Sequence, residues 1–232
     1  MQEGIADLQR LKARRNELNA KVRMLHAKAS NFAQKRIGIR FTQYAMVLTQ
    51  WAFVGPCFIF PDRIGMHNVK DEELEALAYQ MFLIGRSLGI ADKYNLCSGS
   101  LEEIKVLCSD IHTQIMVPYL ERESHWSSFM SRHLLSGIHL INPFIYPVTF
   151  GAWIMRLFGV SNWRARVEKM DNLFDRCLFY FQIVVMDYIL YVPIFQNILL
   201  AVINPLMRLN IHLANKLKPQ IIKEQALIHG EN

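Results

Sequence analysis

Arg23 and His26 are the first side chains in the sequence whose types and spacing could support chemistry. They lie three residues apart in the segment VRMLH, so a helix would place both on one face. A neutral imidazole can bind a metal or a haem iron, and a guanidinium can hold an anion through paired hydrogen bonds. The spacing predicts a candidate site, and an ordinary pair on a helix surface is the alternative interpretation.

Other histidines form weaker patterns. Glu121 and His125 have the i, i+4 spacing of a metal-binding pair if their segment is helical, but Pro118 and the polar run ERESH favour a solvated loop. His133 and His139 lie six residues apart, which does not align them on one face of a helix. Because His139 lies within an apolar run, we expect a hydrogen-bonded histidine of the core.

The motifs of several enzyme classes are absent from the sequence. It contains no Ser/His/Asp nucleophile elbow, no glycine-rich phosphate loop and no CxxC pair of zinc ligands. Its four cysteines are scattered, so we expect free, mostly buried thiols in a reducing compartment. The polar, basic N-terminus of this chain has no apolar signal segment, and we expect an intracellular protein.

The elements that position these residues are predicted to be helices. With 232 residues, of which 52% are hydrophobic, the chain is long enough to bury a large core. Glycine and proline are few, and apolar residues recur at helical spacing without strand-like alternation. The sequence therefore predicts a single multi-helix domain of the all-α class.

The helix boundaries follow from capping and breaking residues. Acidic residues begin the helix at Asp71, Gly89 follows its end at Leu88, and SLEE at Ser100 is a capping box. Gly55-Pro56 is expected to stop the preceding helix, which should be buried on most of its faces. The predicted helices cover 4–33, 41–56, 71–88, a segment from Ser100 to near Pro118, and roughly 124–140.

The positive charge is concentrated at the N-terminus. Residues 1–40 contain ten Lys and Arg against three Asp and Glu, whereas the whole chain has a formal charge of +6. A basic amphipathic helix suits anionic lipid headgroups, and the near absence of aromatic residues argues against nucleic acid. A solvated helix face is the alternative.

Two apolar stretches, 134–155 and 178–207, are each long enough to cross a membrane. Prolines interrupt both, so we expect helix breaks near Pro143–Pro147 and near Pro193. Asp187 lies within the second stretch and needs a donor or a cation if it is buried. Membrane spanning and surface contact both stay open, and we favour a packed core.

Three segments together resemble a known family. VRMLH (22–26), FTQYAMVLTQWAFVG (41–55) and DEELEALAYQMFLIGRSLGIADKYNLCSGSLEE (71–103) are similar to the insect branch of the MPAB/latex-clearing-protein (rubber oxygenase) catalytic-domain family. The element LGIADKYNLC is the most specific part. On this basis residues 1–40 form a basic helical region, 41–160 the best family match, and 161–232 the apolar C-terminal helices.

The resemblance implies an all-α oxidoreductase that holds haem b through a histidine and uses dioxygen to cleave double bonds of isoprenoid or lipid-like substrates. His26 would be the metal ligand, and Arg23 would act with it at the catalytic and cofactor site. Gln50, on the next helix, is a further cofactor-binding candidate. The expected partners are a hydrophobic small molecule or lipid and an anionic membrane surface, with no nucleic acid.

A second hypothesis is a catalytically degenerate relative that acts as a membrane-associated helical binding protein. No histidine lies between His26 and His67, where the family has a second one on the next helix. On either hypothesis, association with the endoplasmic reticulum membrane is the expected form of membrane contact.

Overall fold

The computed structural model describes residues 2–38, 40–122, 135–139, 142 and 145–229. Every regular element in these residues is helical, which confirms the predicted all-α class. The helices are α1 (Gln2–Ile37), α2 (Gln43–Ile59), α3 (Asp71–Leu88), α4 (Leu101–Ile111), α5 (Val117–Glu121), α6 (Pro147–Leu157), α7 (Trp163–Glu168), α8 (Leu173–Asp187) and α9 (Pro193–His229). Short 3₁₀ turns lie at Pro61–Ile64, Asp92–Tyr94 and Ile189–Tyr191, and a π turn at His112–Met116.

The chain divides into two compact units. Unit 1 comprises Met1–Pro61 and Asn68–His112, and unit 2 comprises Asp62–His67 and Thr113–Asn232. These boundaries fall elsewhere than the predicted regions 1–40, 41–160 and 161–232. Of the predicted helix 124–140, the structure describes residues 135–139, which are helical, and the rest lies outside the described residues.

The core of unit 1 forms where α2 packs against α3 and α4. Trp51 of α2 is fully buried, and its indole N–H donates a hydrogen bond of 2.9 Å to the carbonyl of Cys108 on α4. Gly55 makes room for this indole, because a Cβ there would lie 2.5 Å from Trp51 Cε2. The position of the Trp51 indole therefore depends on this hydrogen bond and on the absence of a side chain at Gly55.

Helix α2 differs from its prediction in two ways. The expected stop at Gly55-Pro56 is wrong, because the helix continues to Ile59 and the Phe60 N–H bonds the Pro56 carbonyl at 2.8 Å. Proline in the last turn removes one donor and leaves the following hydrogen bonds intact. The helix is also buried on one face rather than on most faces, since Tyr44 and Phe53 are exposed.

The predicted caps of α3 and α4 are confirmed. Gly89 adopts φ = 104° after Leu88, and its N–H bonds the Arg86 carbonyl at 3.1 Å. The Ser100 N–H donates to Glu103 Oε2 at 2.8 Å, and Ser100 Oγ accepts from the Glu103 N–H at 3.4 Å. The Ser100 N–H and the Ser100 hydroxyl both donate to the Glu103 carboxylate at 2.8 Å, and these two hydrogen bonds hold its pKa below its usual value.

The helical run that begins after Ser100 ends at Glu121, near the end predicted at Pro118, but it is not one uniform α-helix. Helix α4 ends at Ile111, the π turn follows, and Pro118 lies in the first turn of α5. Proline is tolerated there because a first-turn N–H has no helical partner.

The core of unit 2 forms where α6 packs against α7 and α8. Phe179 and Val160 are fully buried, and Trp153 nearly so. Helix α6 begins at Pro147 and α9 begins at Pro193, which confirms breaks at these two prolines, whereas Pro143 lies outside the described residues.

Asp187 has the basic partner that its position in an apolar stretch required. Its Oδ2 lies 2.6 Å from Nη2 of Arg156, and the two side chains are 19% and 23% exposed. Arg156 is the last basic residue before the end of α6, and Asp187 is the last residue of α8. The pair therefore joins the ends of two helices of unit 2.

Replacing Arg156 with leucine should lower the free energy of unfolding by about 1–3 kcal/mol, because it leaves a largely buried carboxylate without its cation. The double variant Arg156→Leu/Asp187→Leu should recover part of this loss. Urea denaturation followed by circular dichroism measures both. Lys105→Leu, which breaks a surface pair with Asp71, is the control, and an equal loss in the control would contradict the assigned importance of the buried pair.

Candidate functional site

A cavity of about 640 Å³ lies among α1, α2 and α3 of unit 1. This volume is within the range of small-molecule sites. Its polar and charged lining side chains are Arg23, His26, Ser30, Thr49 and Gln50. The remaining lining residues are Val22, Ala27, Phe41, Ala45, Met46, Phe53, Met81, Ile84, Gly85, Leu88 and Ile90. The wall is therefore predominantly apolar, with a few polar groups that could orient a ligand.

Arg23 and His26 both line this cavity from α1, together with residues of the 41–55 segment. Their predicted roles as catalytic, cofactor-binding and metal-binding residues stay predictions. The His26 ring lies edge-on to the ring of Phe41, with centroids 6.5 Å apart. Both residues retain exposed surface, so the cavity is open to solvent beside them.

The start of α2 is tied to α1 by one hydrogen bond. The Phe41 N–H donates to Ser30 Oγ at 3.0 Å, and α1 also packs against α3. Because Ser30 lies one turn after His26 on α1, this bond holds the lining residues of α1 beside α2.

Gln50 is a buried amide at the wall of the cavity, and the protein uses its hydrogen-bonding groups. Its Nε2 donates to the Met81 carbonyl at 3.1 Å and to Asn95 Oδ1 at 2.9 Å. Its Oε1 accepts from the Leu96 N–H at 3.1 Å. The structure thus gives Gln50 a structural role in the wall, and its role as a cofactor-binding residue stays a prediction.

Asn95 is the second amide of this network. Its Nδ2 donates to the Phe82 carbonyl at 3.0 Å, and its Oδ1 also accepts from the Cys97 N–H at 3.2 Å. We call the segment LGIADKYNLC (88–97), which begins at the last residue of α3, the corner. The buried pair of Gln50 and Asn95 therefore connects α2, the last turns of α3 and the corner.

Gln43 holds the other end of the same corner. Its Nε2 donates to the Gly89 carbonyl at 3.0 Å, and its Oε1 accepts from the Ala91 N–H at 2.9 Å. Gln43 and Gln50 lie seven residues apart, on the same face of α2. This pair of glutamines on an otherwise apolar helix is a sequence signal that one face of α2 makes polar contacts, but it does not specify their partners.

Gly85 of α3 lies against the amide pair. A Cβ at this position would be 2.7 Å from Gln50 Nε2 and 2.9 Å from Asn95 Nδ2. The approach requires glycine, because both amides are fixed by the hydrogen bonds described above and cannot move aside without losing them.

The thiols of unit 1 are protonated at neutral pH. Burial raises the pKa of Cys97 to about 11. Burial, followed by the nearby Cys97 and Cys57, raises the pKa of Cys108 to about 12. The cysteines of the described residues are free, as predicted, and the two buried ones are poor nucleophiles because the thiolate is the reactive form.

The remaining histidine and acid candidates do not join this site. Glu121 accepts a hydrogen bond of 3.1 Å from the hydroxyl of Ser161, whereas His125 and His133 lie outside the described residues. The Nδ1 of His139 lies 3.0 Å from the Ile145 carbonyl, which confirms the predicted hydrogen bond, but the residue is half-buried rather than part of the core. Among the described residues no group of three or more His, Cys, Asp or Glu side chains could hold a metal ion.

The residues around the cavity fit a haem group in the kinds of donor they supply. The imidazole of His26 would hold the iron, the guanidinium of Arg23 would pair with a carboxylate of the cofactor, and the apolar wall suits a macrocycle. Haem held by this one histidine would supply the activation of dioxygen.

Comparisons with protein-family models, with curated proteins and with solved structures find no match to this chain. The family resemblance of the sequence therefore stays a prediction, and the geometry of unit 1 is the observation on which a function can be proposed.

Replacing Gly85 with alanine should lower the thermal midpoint, corresponding to a loss of about 1–3 kcal/mol, because the new methyl group would displace the Gln50–Asn95 pair. In a helix interior the same change ordinarily stabilises by about 0.5–1 kcal/mol.

Gly151→Ala in α6 is the matched control, since a Cβ there meets its nearest atom at 3.8 Å. It should leave the midpoint unchanged or raise it. A thermal melt followed by circular dichroism measures both variants, and shifts of the same sign and size would contradict the assigned role of Gly85.

Proposed function

We propose that this protein is a haem-dependent oxidoreductase of the rubber-oxygenase type, acting on a hydrophobic substrate of isoprenoid or lipid-like character. The observation that supports this proposal is the apolar cavity of about 640 Å³ whose ionisable lining residues are Arg23 and His26. These are the two residues that the family resemblance assigns to the haem pocket.

Each residue has a defined part in this proposal. His26 holds the iron through a neutral ring nitrogen, because a protonated imidazole has no free lone pair. Arg23 pairs with a carboxylate of the cofactor, and the aromatic and aliphatic wall binds the substrate and excludes water. Haem b, when bound, supplies the activation of dioxygen.

Gln50 contributes through position rather than through a ligand bond in this proposal. Both of its N–H groups donate to protein atoms, to the Met81 carbonyl and to Asn95 Oδ1. It therefore holds the α2 wall at a fixed distance from α3.

The absorption spectrum of the full chain expressed with haem supplied tests the proposal. We expect a Soret band that His26→Ala abolishes and that His212→Ala, a change at an exposed histidine of α9, leaves intact. Arg23→Ala should weaken haem affinity about tenfold, whereas Arg14→Ala should not. Dioxygen uptake with a polyisoprenoid oligomer should follow the same order.

The absence of a Soret band in the unaltered chain would contradict haem binding. A band that persists in His26→Ala would contradict the assigned ligand. In both results the chain's helical content, measured by circular dichroism, must be unchanged for the comparison to stand.

The second candidate function is that of a membrane-associated helical binding protein, and α9 favours it. Within the described residues, Pro193–Leu213 is the one helical segment long and apolar enough to cross a membrane, and no residue of it is buried. At 1.5 Å per residue its 21 residues span about 31 Å, close to the roughly 30 Å of a hydrocarbon core.

Neighbouring residues also fit lipid contact. Tyr188 and Tyr191, just before α9, are exposed, and tyrosine is enriched at membrane–water interfaces. An apolar helix that is not buried in its own protein is expected to be covered by another apolar phase, and the acyl chains of a membrane supply one.

Flotation with liposomes tests this second candidate. The chain should float, and Ile198→Asp/Val202→Asp in α9 should reduce the floating fraction several-fold, because charge in lipid is costly. Val106→Asp/Leu107→Asp, at exposed apolar residues of α4, is the matched control. Retention after a carbonate wash would indicate a span and release a surface contact, and failure of the unaltered chain to float would contradict both.

A further inference from the structure

Helix α1 carries a row of large apolar side chains at every seventh residue. Leu11, Leu18, Leu25 and Phe32 are 65%, 52%, 59% and 61% exposed. A strict seven-residue repeat is the pattern of a coiled-coil seam, because it keeps one line of side chains toward a partner helix. From Leu11 to Phe32 the row is about 31 Å long.

A coiled-coil seam uses two positions of every seven-residue repeat. The second position here lies four residues after each of Leu11, Leu18 and Leu25. The residues at this second position are Arg15, Val22 and Ala29. We call these seven residues, Leu11 to Phe32, the α1 seam. Val22 and Ala29 are compatible with a packed helix pair, and Arg15 is a charged group at a central position.

Basic residues flank the α1 seam on both sides. Lys12 lies on one side, and Arg14, Lys21 and Lys28 lie on the other. Such flanking positions set partner choice in coiled coils through their charges. Within the flanked segment, Glu17 is the acidic residue, and it already pairs with Lys21 at 2.6 Å.

We infer that the α1 seam docks an acidic amphipathic helix of a partner protein. The charge pattern carries this choice, because glutamate or aspartate beside the partner's apolar row would meet Lys12, Arg14 and Lys28. The exposed Glu17–Lys21 pair contributes little by itself, so Lys21 can exchange it for a partner carboxylate.

A second copy of this chain fits the α1 seam poorly. A parallel pair would place Arg15 against Arg15, and an antiparallel pair would bring the row Arg14, Lys21 and Lys28 against itself. Like charges in these positions disfavour self-association.

A lipid surface fits less well than a helix. Interfacial helices bury a broad apolar face, whereas the α1 seam is two residues in seven wide and includes Arg15. The partner helix would also lie beside the cavity, since Val22 belongs to both the seam and the cavity wall.

Fluorescence anisotropy of a labelled synthetic peptide tests the inference with the full chain. The peptide is an acidic amphipathic helix of four heptads, with leucine at its seam positions and glutamate at its flanks. Leu18→Gln/Leu25→Gln should weaken binding at least about tenfold. Ala13→Gln/Ala20→Gln, at exposed residues on the opposite face of α1, should leave it within about twofold.

A matched peptide with lysine at the flanks should bind at least about tenfold more weakly than the glutamate peptide. Equal binding of the two peptides, or equal loss in both glutamine variants, would overturn the proposal. Binding to phosphatidylserine vesicles that depends on the α1 seam, without binding of the peptide, would also overturn it. The same holds for a dimer in sedimentation that Leu18→Gln/Leu25→Gln dissociates. Circular dichroism verifies that the variants remain helical, and peptide binding is measured without haem.

Discussion

The buried amide pair of Gln50 and Asn95 is the interaction on which the arrangement of unit 1 depends. Its donors and acceptors satisfy main-chain groups of Met81, Phe82 and Leu96, in α3 and in the corner after it. Removing either amide would leave several buried groups without partners, and each such group costs about 1–3 kcal/mol. The relative positions of α2, α3 and the corner are thus coupled through one pair of side chains.

The same pair also shapes the cavity. Gln50 and Gly85 belong both to the amide network and to the cavity wall, so the wall shared by α2 and α3 is rigid where they meet. The α1 side is held differently, by one hydrogen bond from Phe41 to Ser30 and by packing on α3. The cavity wall formed by α2 and α3 is therefore held by more hydrogen bonds than the wall formed by α1. Arg23 and His26 lie on the α1 wall.

Local signals in the sequence predicted much of the fold. The acids at Asp71, the glycine at Gly89 and the capping box at Ser100 each act through neighbours within a few residues, so their structures followed from the sequence. The end of α2 did not, because tolerance of Pro56 depends on its place in the last turn. The Gln50–Asn95 pair joins residues 45 apart in the chain, and no local pattern specifies such a contact. The spacing of Arg23 and His26 placed both on one side of α1, but it did not specify the cavity that they line, because that cavity is built from residues of three helices.

The buried thiols of unit 1 allow local opening of its core to be measured by chemical labelling. Cys97 and Cys108 are shielded and held in the thiol form, whereas Cys177 of unit 2 is exposed. An alkylating reagent reaches Cys108, which is fully buried, only in molecules whose α2–α4 packing has transiently separated, while Cys177 is accessible without such opening. The rate of labelling at Cys108 consequently measures how often the core around Trp51 opens locally, and no cysteine has to be introduced for the measurement.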